Sequence, residues 1–512
     1  MISIDTLPDD VLLEIFNFHG HYVDDPYVYK REQAWQRLVH VCRRWRCIVF
    51  GSPRHLNLQL VCWCTTPVKD MLDFWPALPL SIRWTNDYLT RHLHMSNTIA
   101  ALQYTDRVCQ IALNEVRSYD LDMLLEVMQQ PFPELTHLEL LLVDETAPVV
   151  PDSFLGGSVP RLEYLELEGI PFPGLPKILL SATHLVTLYL INIPHSGYIS
   201  PDGMVAALST LTSLEQFSLK FESPRSCPDQ ANRRPPFSTR SVLPVLTSFR
   251  FKGVSEYLDD LVAWVDAPQL NKLEITFFND TVFDTPQLVR FISYTPMSKE
   301  LEKASITLAD RGARVSFSSL TSHYADSEFK VTILCKGLDW QLSSLEQVCI
   351  SCLPPLSILA DLYFHEAQFL PPDWKGSVEN GQWLDLFRSF MAVKNLYLSK
   401  NFASRIATVF QELDEGSTTD IFPALKNFFL KGLDEDSTTD ILPDLKKFFL
   451  KGLDEGNTTY TLPPLRNSLK GLGSSGSVQE ILGRFIAMRQ VTNQPIDISP
   501  WTDTEEGEYW DY

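Results

Sequence analysis

Basic residues are scarce in this chain. It has 43 lysines and arginines against 64 aspartates and glutamates, a formal charge of −21 over 512 residues. A surface that neutralises phosphates needs clustered Lys and Arg, so the balance disfavours a nucleic-acid binder and an anionic membrane surface. No run of eighteen apolar residues occurs, which leaves no candidate for a helical membrane span. The opening residues, MISIDTLPDD, lack a basic stretch followed by an apolar one, so no secretory signal is expected there. Cysteine is sparse: nine residues, scattered, with one left over after any pairing. They read as reduced thiols of a cytoplasmic or nuclear protein.

Chemistry-bearing motifs are missing as well. The chain has no GxGxxG after a strand, no Walker A loop, no GxSxG and no HExxH. CISC at 349–352 is the only CxxC and has no second pair to complete a zinc site; CWC at 62–64 has the wrong spacing. Both read as buried thiols. His19 with His21, and His92 with His94, have no cysteine or carboxylate cluster beside them. Asp259 and Asp260 are adjacent on a helical pattern and point apart. No nucleophile sits with a base. The expectation is a protein that is not an enzyme and needs neither cofactor nor metal.

Apolar residues are plentiful, at 45% of the chain. Length alone suggests about three domains, unless a repeat array stretches one of them. The first apolar signal is LPDDVLLEIF at 7–16. Thr6 is placed to cap a helix, with Asp9 three residues later in capping-box position. Pro8 falls in the first turn, and Asp9 and Asp10 favour the positive end of the helix dipole. Leu12, Ile15 and Phe16 share one face, with Leu7 and Val11 at its margin. A second helix is predicted over AWQRLVHVCRRWRCIVFGSP, residues 34–53, with Leu38, Val41, Cys42, Trp45, Ile48 and Val49 on one side. Its arginines read as a solvated face that could also meet acids on a partner. Two such helices bury little apolar surface alone, so they pack on the next domain or meet a partner.

These residues resemble the F-box. The family pattern is Leu-Pro, an acid and an apolar helix, then Leu-Val-x-x-Cys-x-x-Trp on a later helix. Here LVHVCRRW supplies Leu38, Val39, Val41, Cys42 and Trp45. The spacer NFHGHYVDDPYVYKREQ is longer than is usual and replaces the ordinary short helix. The resemblance implies docking on the adaptor Skp1 and, through it, on a cullin–RING ubiquitin ligase. It implies that Leu7, Pro8, Leu12, Ile15 and Phe16 face Skp1, and that Val41, Cys42 and Trp45 complete the packing or the contact. The wording also looks like the fungal F-box proteins with irregular leucine-rich repeats.

From residue 78 onward one phrase returns: apolar, two others, apolar, one other, apolar. It appears as VCQIAL at 108, LTHLEL at 135, LEYLEL at 162, LVTLYL at 185, LEQFSL at 214, LTSFRF at 246 and LNKLEI at 270, then as VKNLYL at 393 and LKNFFL at 425. From 108 to 270 the starts are 23 to 32 residues apart, the spacing of leucine-rich repeats. Each unit is a strand with one buried face plus a returning helix or loop, and stacking makes the core continuous. Between 280 and 390 only fragments such as SITL and VTILC remain, and irregular repeats are expected there. Residues 413–472 hold three tandem copies of a twenty-residue phrase beginning LDEGSTTD, LDEDSTTD and LDEGNTTY, read as added repeats. Residues 222–240 read as an exposed loop and the acidic tail as a frayed end.

The expected fold is therefore α/β: a small N-terminal helical F-box followed by a leucine-rich-repeat solenoid with a parallel sheet on its concave face. The expected segments are an F-box at 1–60, a connector with a first irregular repeat at 61–105, irregular repeats at 106–412, the tandem copies at 413–472 and a C-terminal segment at 473–512. Strand alternation names outward residues for a target protein: Tyr164, Glu166, Glu168, Tyr189, Arg250, Lys252, Lys272 and Tyr397, with His137, Glu139, Lys220, Glu274, Phe429 and Phe449 beside them. The charge along this row runs from acidic near 166 to basic near 252. The function expected is that of a substrate-recognition subunit of a Skp1–cullin–F-box ligase, with Skp1, a cullin and an unknown protein target as partners. The alternative is a non-ligase interaction scaffold built on the same repeats.

Overall fold

Each returning phrase becomes a strand that begins within two residues of the phrase's start. This is visible in a computed structural model, which describes residues 4–21, 34–62, 67–84, 91–144, 146–228, 240–278, 283–299, 302–318, 328–351, 356, 359–366, 380–399, 402, 406, 409–410, 421–431, 485, 489 and 496–501. Two units divide the chain: Met1–Pro228 with Ser241–Leu246, and Asp229–Arg240 with Thr247–Tyr512. Both are mixed α/β with a mostly parallel sheet, the architecture of a leucine-rich-repeat-like solenoid. No helix among the described residues is long and apolar enough to cross a membrane.

The first unit opens with three helices: α1 (Asp9–His21), α2 (Ala34–Val39) and α3 (Arg43–Gly51). The Leu12 N–H donates to the Pro8 carbonyl at 3.0 Å, so Pro8, not Thr6, stands at the head of α1. The helix predicted over 34–53 is broken in two. Cys42 is extended, with φ −158° and ψ 170°, and its sulfur accepts the Trp45 N–H at 3.5 Å. A thiol thus takes the capping place usually held by Ser, Thr or Asp.

Along the sheet of this unit, the described strands follow in sequence order: β1 (Leu60–Cys62), β2 (Leu80–Arg83), β3 (Val108–Val116), β4 (His137–Leu142), β5 (Tyr164–Glu168), β6 (Thr187–Ile193) and β7 (Gln216–Phe221). The sheet therefore begins at Leu60, ahead of the first phrase. All neighbours pair in parallel. Short returns close the repeats: α4 (Val68–Phe74), α5 (Arg91–Leu102), α6 (Ser118–Val127), α7 (Leu175–Leu179) and α8 (Pro201–Leu208). α8 shows why a return starts where it does. Ser200 Oγ accepts the Gly203 N–H at 3.2 Å, and Pro201 fills the first turn. The lead residues Leu135, Leu162, Leu185 and Leu214 are buried between the strands and these returns.

The sheet of the second unit holds, among the described residues, β8 (Ser248–Gly253), β9 (Lys272–Phe278), β10 (Lys303–Ala309), β11 (Gly312–Ser318), β12 (Glu328–Leu334), β13 (Asp361–Glu366), β14 (Asn395–Leu398), β15 (Asn427–Lys431) and β16 (Asp497–Trp501). Their order is β8-β9-β12-β11-β10-β13-β14-β15-β16. Helices α9 (Ser255–Val262), α10 (Pro286–Tyr294), α11 (Leu338–Ser351) and α12 (Asn380–Arg388) are its returns. Asp259, the first of the two adjacent acids, joins two of them. Its Oδ1 accepts the Gln287 and Leu288 N–H groups at 2.9 Å each, which tethers α9 to the electropositive start of α10.

Between 280 and 390, where irregular repeats are expected, the irregularity takes a specific form. β11 runs antiparallel to both β10 and β12, so a meander sits inside the parallel array. The cause is local: Asp310 and Arg311 form a two-residue link that returns the chain at once, without a crossover helix. Of the tandem copies, the strand of the first is β15, and its other neighbour is β16. The second and third copies, and Phe449 with them, lie outside the described residues.

Gly312 opens β11 where backbones crowd: a Cβ there would lie 2.4 Å from the Ile333 carbonyl oxygen. G312A is expected to destabilise the meander by about 1–3 kcal/mol, as an overpacked site does. Hydrogen exchange should show lost amide protection across 303–334, with β4–β6 unaffected.

Candidate interaction surfaces

The helical surface is built from two adjoining apolar stripes on α1. The inner stripe is Leu12 and Phe16, four residues apart. Leu12 is fully buried and Phe16 nearly so; the Phe16 ring lies 4.7 Å from that of half-buried Trp45. The expectation that Leu12 and Phe16 face a partner is therefore corrected. Leu12 and Phe16 are buried along with Trp35, Val39, Ile48 and Val49 of the other two helices, so this stripe is spent within the chain.

The outer stripe is Val11, Ile15 and Phe18, exposed at 40%, 43% and 66%. Val41, on the link between α2 and α3, is 59% exposed. Leu7 is half-buried, Pro8 is exposed and Cys42 is half-buried under its capping bond. Arg44 closes the hairpin: its Nε and Nη2 reach Asp9 Oδ1 at 2.9 and 2.6 Å, and Nη2 also donates to the Leu7 carbonyl. The Asp9 end is well exposed, so this pair contributes at most about 1 kcal/mol. One arginine of CRRWR thus meets an acid of its own chain. On the side of the sheet, Trp35 is buried, donates to the Gln59 carbonyl at 3.2 Å and stands 5.1 Å from Trp75.

The open face of the first sheet follows from register. The third residues of successive phrases lie side by side: Gln110, His137, Tyr164, Thr187, Gln216. So do the fifth residues: Ala112, Glu139, Glu166, Tyr189, Ser218. Tyr164, Glu166, Glu168 and Tyr189 are thereby brought together with His137 and Glu139. The His137 and Tyr164 rings stack at 4.2 Å, and the Tyr164 and Tyr189 rings are 6.0 Å apart, edge to face. The Tyr164 hydroxyl donates to Glu166 Oε2, and the Tyr189 hydroxyl to Gln216 Oε1. Asn192, which the alternation rule did not single out, donates to Glu168 Oε1 at 2.9 Å.

Charge is crowded here. Partial burial raises the Glu166 carboxyl above the ordinary carboxylate range; the Tyr164 hydrogen bond and His137 oppose the rise, and Glu139 and Glu168 add to it. Burial, the hydrogen bond to Glu166 and that residue's charge push the Tyr164 phenol up, so it stays a donor.

In the second unit the predicted residues fall into two groups. Arg250 and Lys252 on β8 and Lys272 on β9 form the first. Arg250 Nε lies 3.6 Å from Glu274 Oε2, and the Lys252 ammonium sits 5.9 Å from the Phe278 ring. Lys272 is exposed, in register between Ser248 and Glu328. The basic stretch is thus interleaved with acids. Tyr397 belongs to the second group, stacked between Tyr363 at 4.0 Å and Phe429 at 4.4 Å. Beside that aromatic column runs a polar one: Asn395 donates to Asp361 at 2.5 Å and Asn427 to Asn395 at 2.7 Å. Tyr363 and the polar column were missed although LADLYF at 359–364 carries the full phrase, with Asp361 in its third position. The third-position Asn of VKNLYL and LKNFFL was the available signal. The side chains of His19, His21, His92 and His94 lie outside the described residues.

No family model matches the chain, and no curated protein matches it. Among solved structures, the leucine-rich repeat-containing protein LegL7 from Legionella pneumophila is similar at 12% identity, over 79% of this chain and 100% of that one. Its TM-score of 0.24 is too low to carry an argument.

The Glu166 shift has a signed consequence. The folded state holds this proton to higher pH than the unfolded chain does, so Glu166 costs nothing below the ordinary carboxylate pKa. The cost grows as pH rises from there through the raised value. Melting temperature followed from pH 4 to pH 8 should therefore fall less in E166Q than in the native chain. An equal or steeper fall in E166Q would contradict the assignment.

Proposed function

We propose that the chain is a non-catalytic receptor: the substrate-recognition subunit of a Skp1–cullin–F-box ubiquitin ligase. The helices at its N-terminus dock on a Skp1-like adaptor and, through it, on a cullin, while the open face of the repeats holds a target protein. The observation that carries this reading is the outer stripe of Val11, Ile15 and Phe18, with Val41 exposed on the following link. Val11, Ile15 and Val41 are large apolar side chains that stay exposed beside a buried inner stripe, and exposed apolar surface of this kind favours a partner. The order LPDD…LVHVCRRW supplies the resemblance that names the partner. Ubiquitin transfer belongs to other subunits, and this chain contributes proximity. Such a protein works in the cytoplasm or the nucleus.

A second reading, a scaffold outside any ligase, draws on Trp35. Its burial and its bond to Gln59 suit helices kept to cover the start of the sheet. Capture by purified Skp1 tests the first reading. The native chain should be retained and V11D/I15D lost, since each aspartate places a charge in an apolar contact. Both positions are exposed, so unfolding stability should change by no more than about 0.5 kcal/mol. Equal capture of both chains would contradict the docking assignment.

A further inference from the structure

The stretch from residue 33 to residue 69 holds no aspartate or glutamate, yet it carries Arg37, Arg43, Arg44, Arg46, Arg54 and Lys69. In a chain of net charge −21 this is a basic island. Asp9 pairs with Arg44. Arg46 donates from Nε to the Val39 carbonyl at 3.0 Å, which sets its guanidinium beside the link between α2 and α3. The side chains of Arg37 and Arg43 are exposed and, among the described residues, meet no acid and make no hydrogen bond. Arg43 also stands in the first turn of α3, which contains no acid. A cation is disfavoured at that end of a helix and an anion favoured.

A second observation adjoins the first. Phe74, at the end of α4, is 70% exposed, although Val68 and Met71 of the same helix are buried. Its ring meets Trp75 edge on at 4.9 Å, and Trp75 meets buried Trp35 in the same way at 5.1 Å. His40 joins the aromatics to the arginines. Its exposed side chain lies 6.0 Å, ring to ring, from Trp75, and its N–H donates to the Arg37 carbonyl at 3.3 Å. Exposed aromatics beside arginines have the composition of interface anchors.

We infer that Phe74, Trp75 and His40, with Arg37, Arg43 and Arg46, form a docking surface for an acidic segment of a partner protein that also carries a large apolar residue. α4 itself has Asp70 and Asp73, so the apolar residue of the segment meets Phe74 and its acids meet the arginines at the link. Guanidinium forks suit carboxylates, which they bind with two parallel bonds. Single-stranded nucleic acid also combines stacking with arginine contacts, but the net charge of the chain repels a polyphosphate. The inference goes beyond the receptor reading and uses no residue of the α1 stripe.

Fluorescence anisotropy with the full chain tests it. The probes are a labelled peptide with four glutamates on either side of a central Leu-Phe pair, its matched glutamine peptide, and a labelled oligouridine of about the same length. The Glu peptide should bind about tenfold more tightly than the Gln peptide, and R37Q/R43Q and F74S should each weaken it about tenfold. K394Q/K426Q, at exposed lysines of the second unit, changes net charge as R37Q/R43Q does and should leave affinity within about twofold. V11D/I15D should do the same, which separates this surface from the one read by Skp1 capture. Equal binding of the Glu and Gln peptides, unchanged affinity in R37Q/R43Q or in F74S, equal weakening in K394Q/K426Q or V11D/I15D, or tighter binding of the oligouridine would each overturn the assignment.

Discussion

Register between parallel strands is the constraint on which the rest depends. In the first unit a chain of backbone bonds fixes it: Thr136 N–H to the Cys109 carbonyl, Glu163 to Thr136, Val186 to Glu163 and Glu215 to Val186, each 2.8 Å. Every donor is the second residue of its phrase, so like positions stack on like. A slip of one residue would turn Leu165 and Leu167 outward and bury Glu166. The leucines of one phrase have no core until the next phrase supplies it. The same bonds that build the hydrophobic layer therefore also place Glu139 beside Glu166, and Glu166 beside Tyr189. The fold and the side chains gathered on its open face are two consequences of one alignment.

The N-terminal helices obey a different constraint. With so few residues, α1 must use Leu12 and Phe16 for its own unit, while Val11 and Ile15 stay exposed. This division separates residues that hold the helices together from residues left exposed. It moves the proposed docking surface from Leu12 and Phe16 to Val11, Ile15 and Phe18, about 100° around the helix.

Much of the fold was legible. Each phrase named from 108 to 270, and those at 393 and 425, leads into a strand within two residues, because strand alternation is a strong signal when only one face is buried. The outward residues follow from the same alternation, and Tyr164, Glu166, Glu168 and Tyr189 do lie together. Three things were not legible. The meander at 303–334 alternates like its neighbours, and only the Asp310–Arg311 link and Gly312 distinguish a hairpin from a crossover. The break at Cys42 depends on a thiol acting as a cap, which helical periodicity does not reveal. The choice between the two stripes of α1 depends on tertiary contacts with Trp45 that no local pattern encodes.

The central claim is that one chain joins two proteins through separate surfaces, its outer helical stripe and its open sheet face. Quantitative mass spectrometry of proteins co-purifying from cells with the full chain and with V11D/I15D tests it most directly. The account predicts that cullin and adaptor are lost together from the variant while other bound proteins remain. Cullin retained at equal abundance, or absent from the native chain as well, would contradict it.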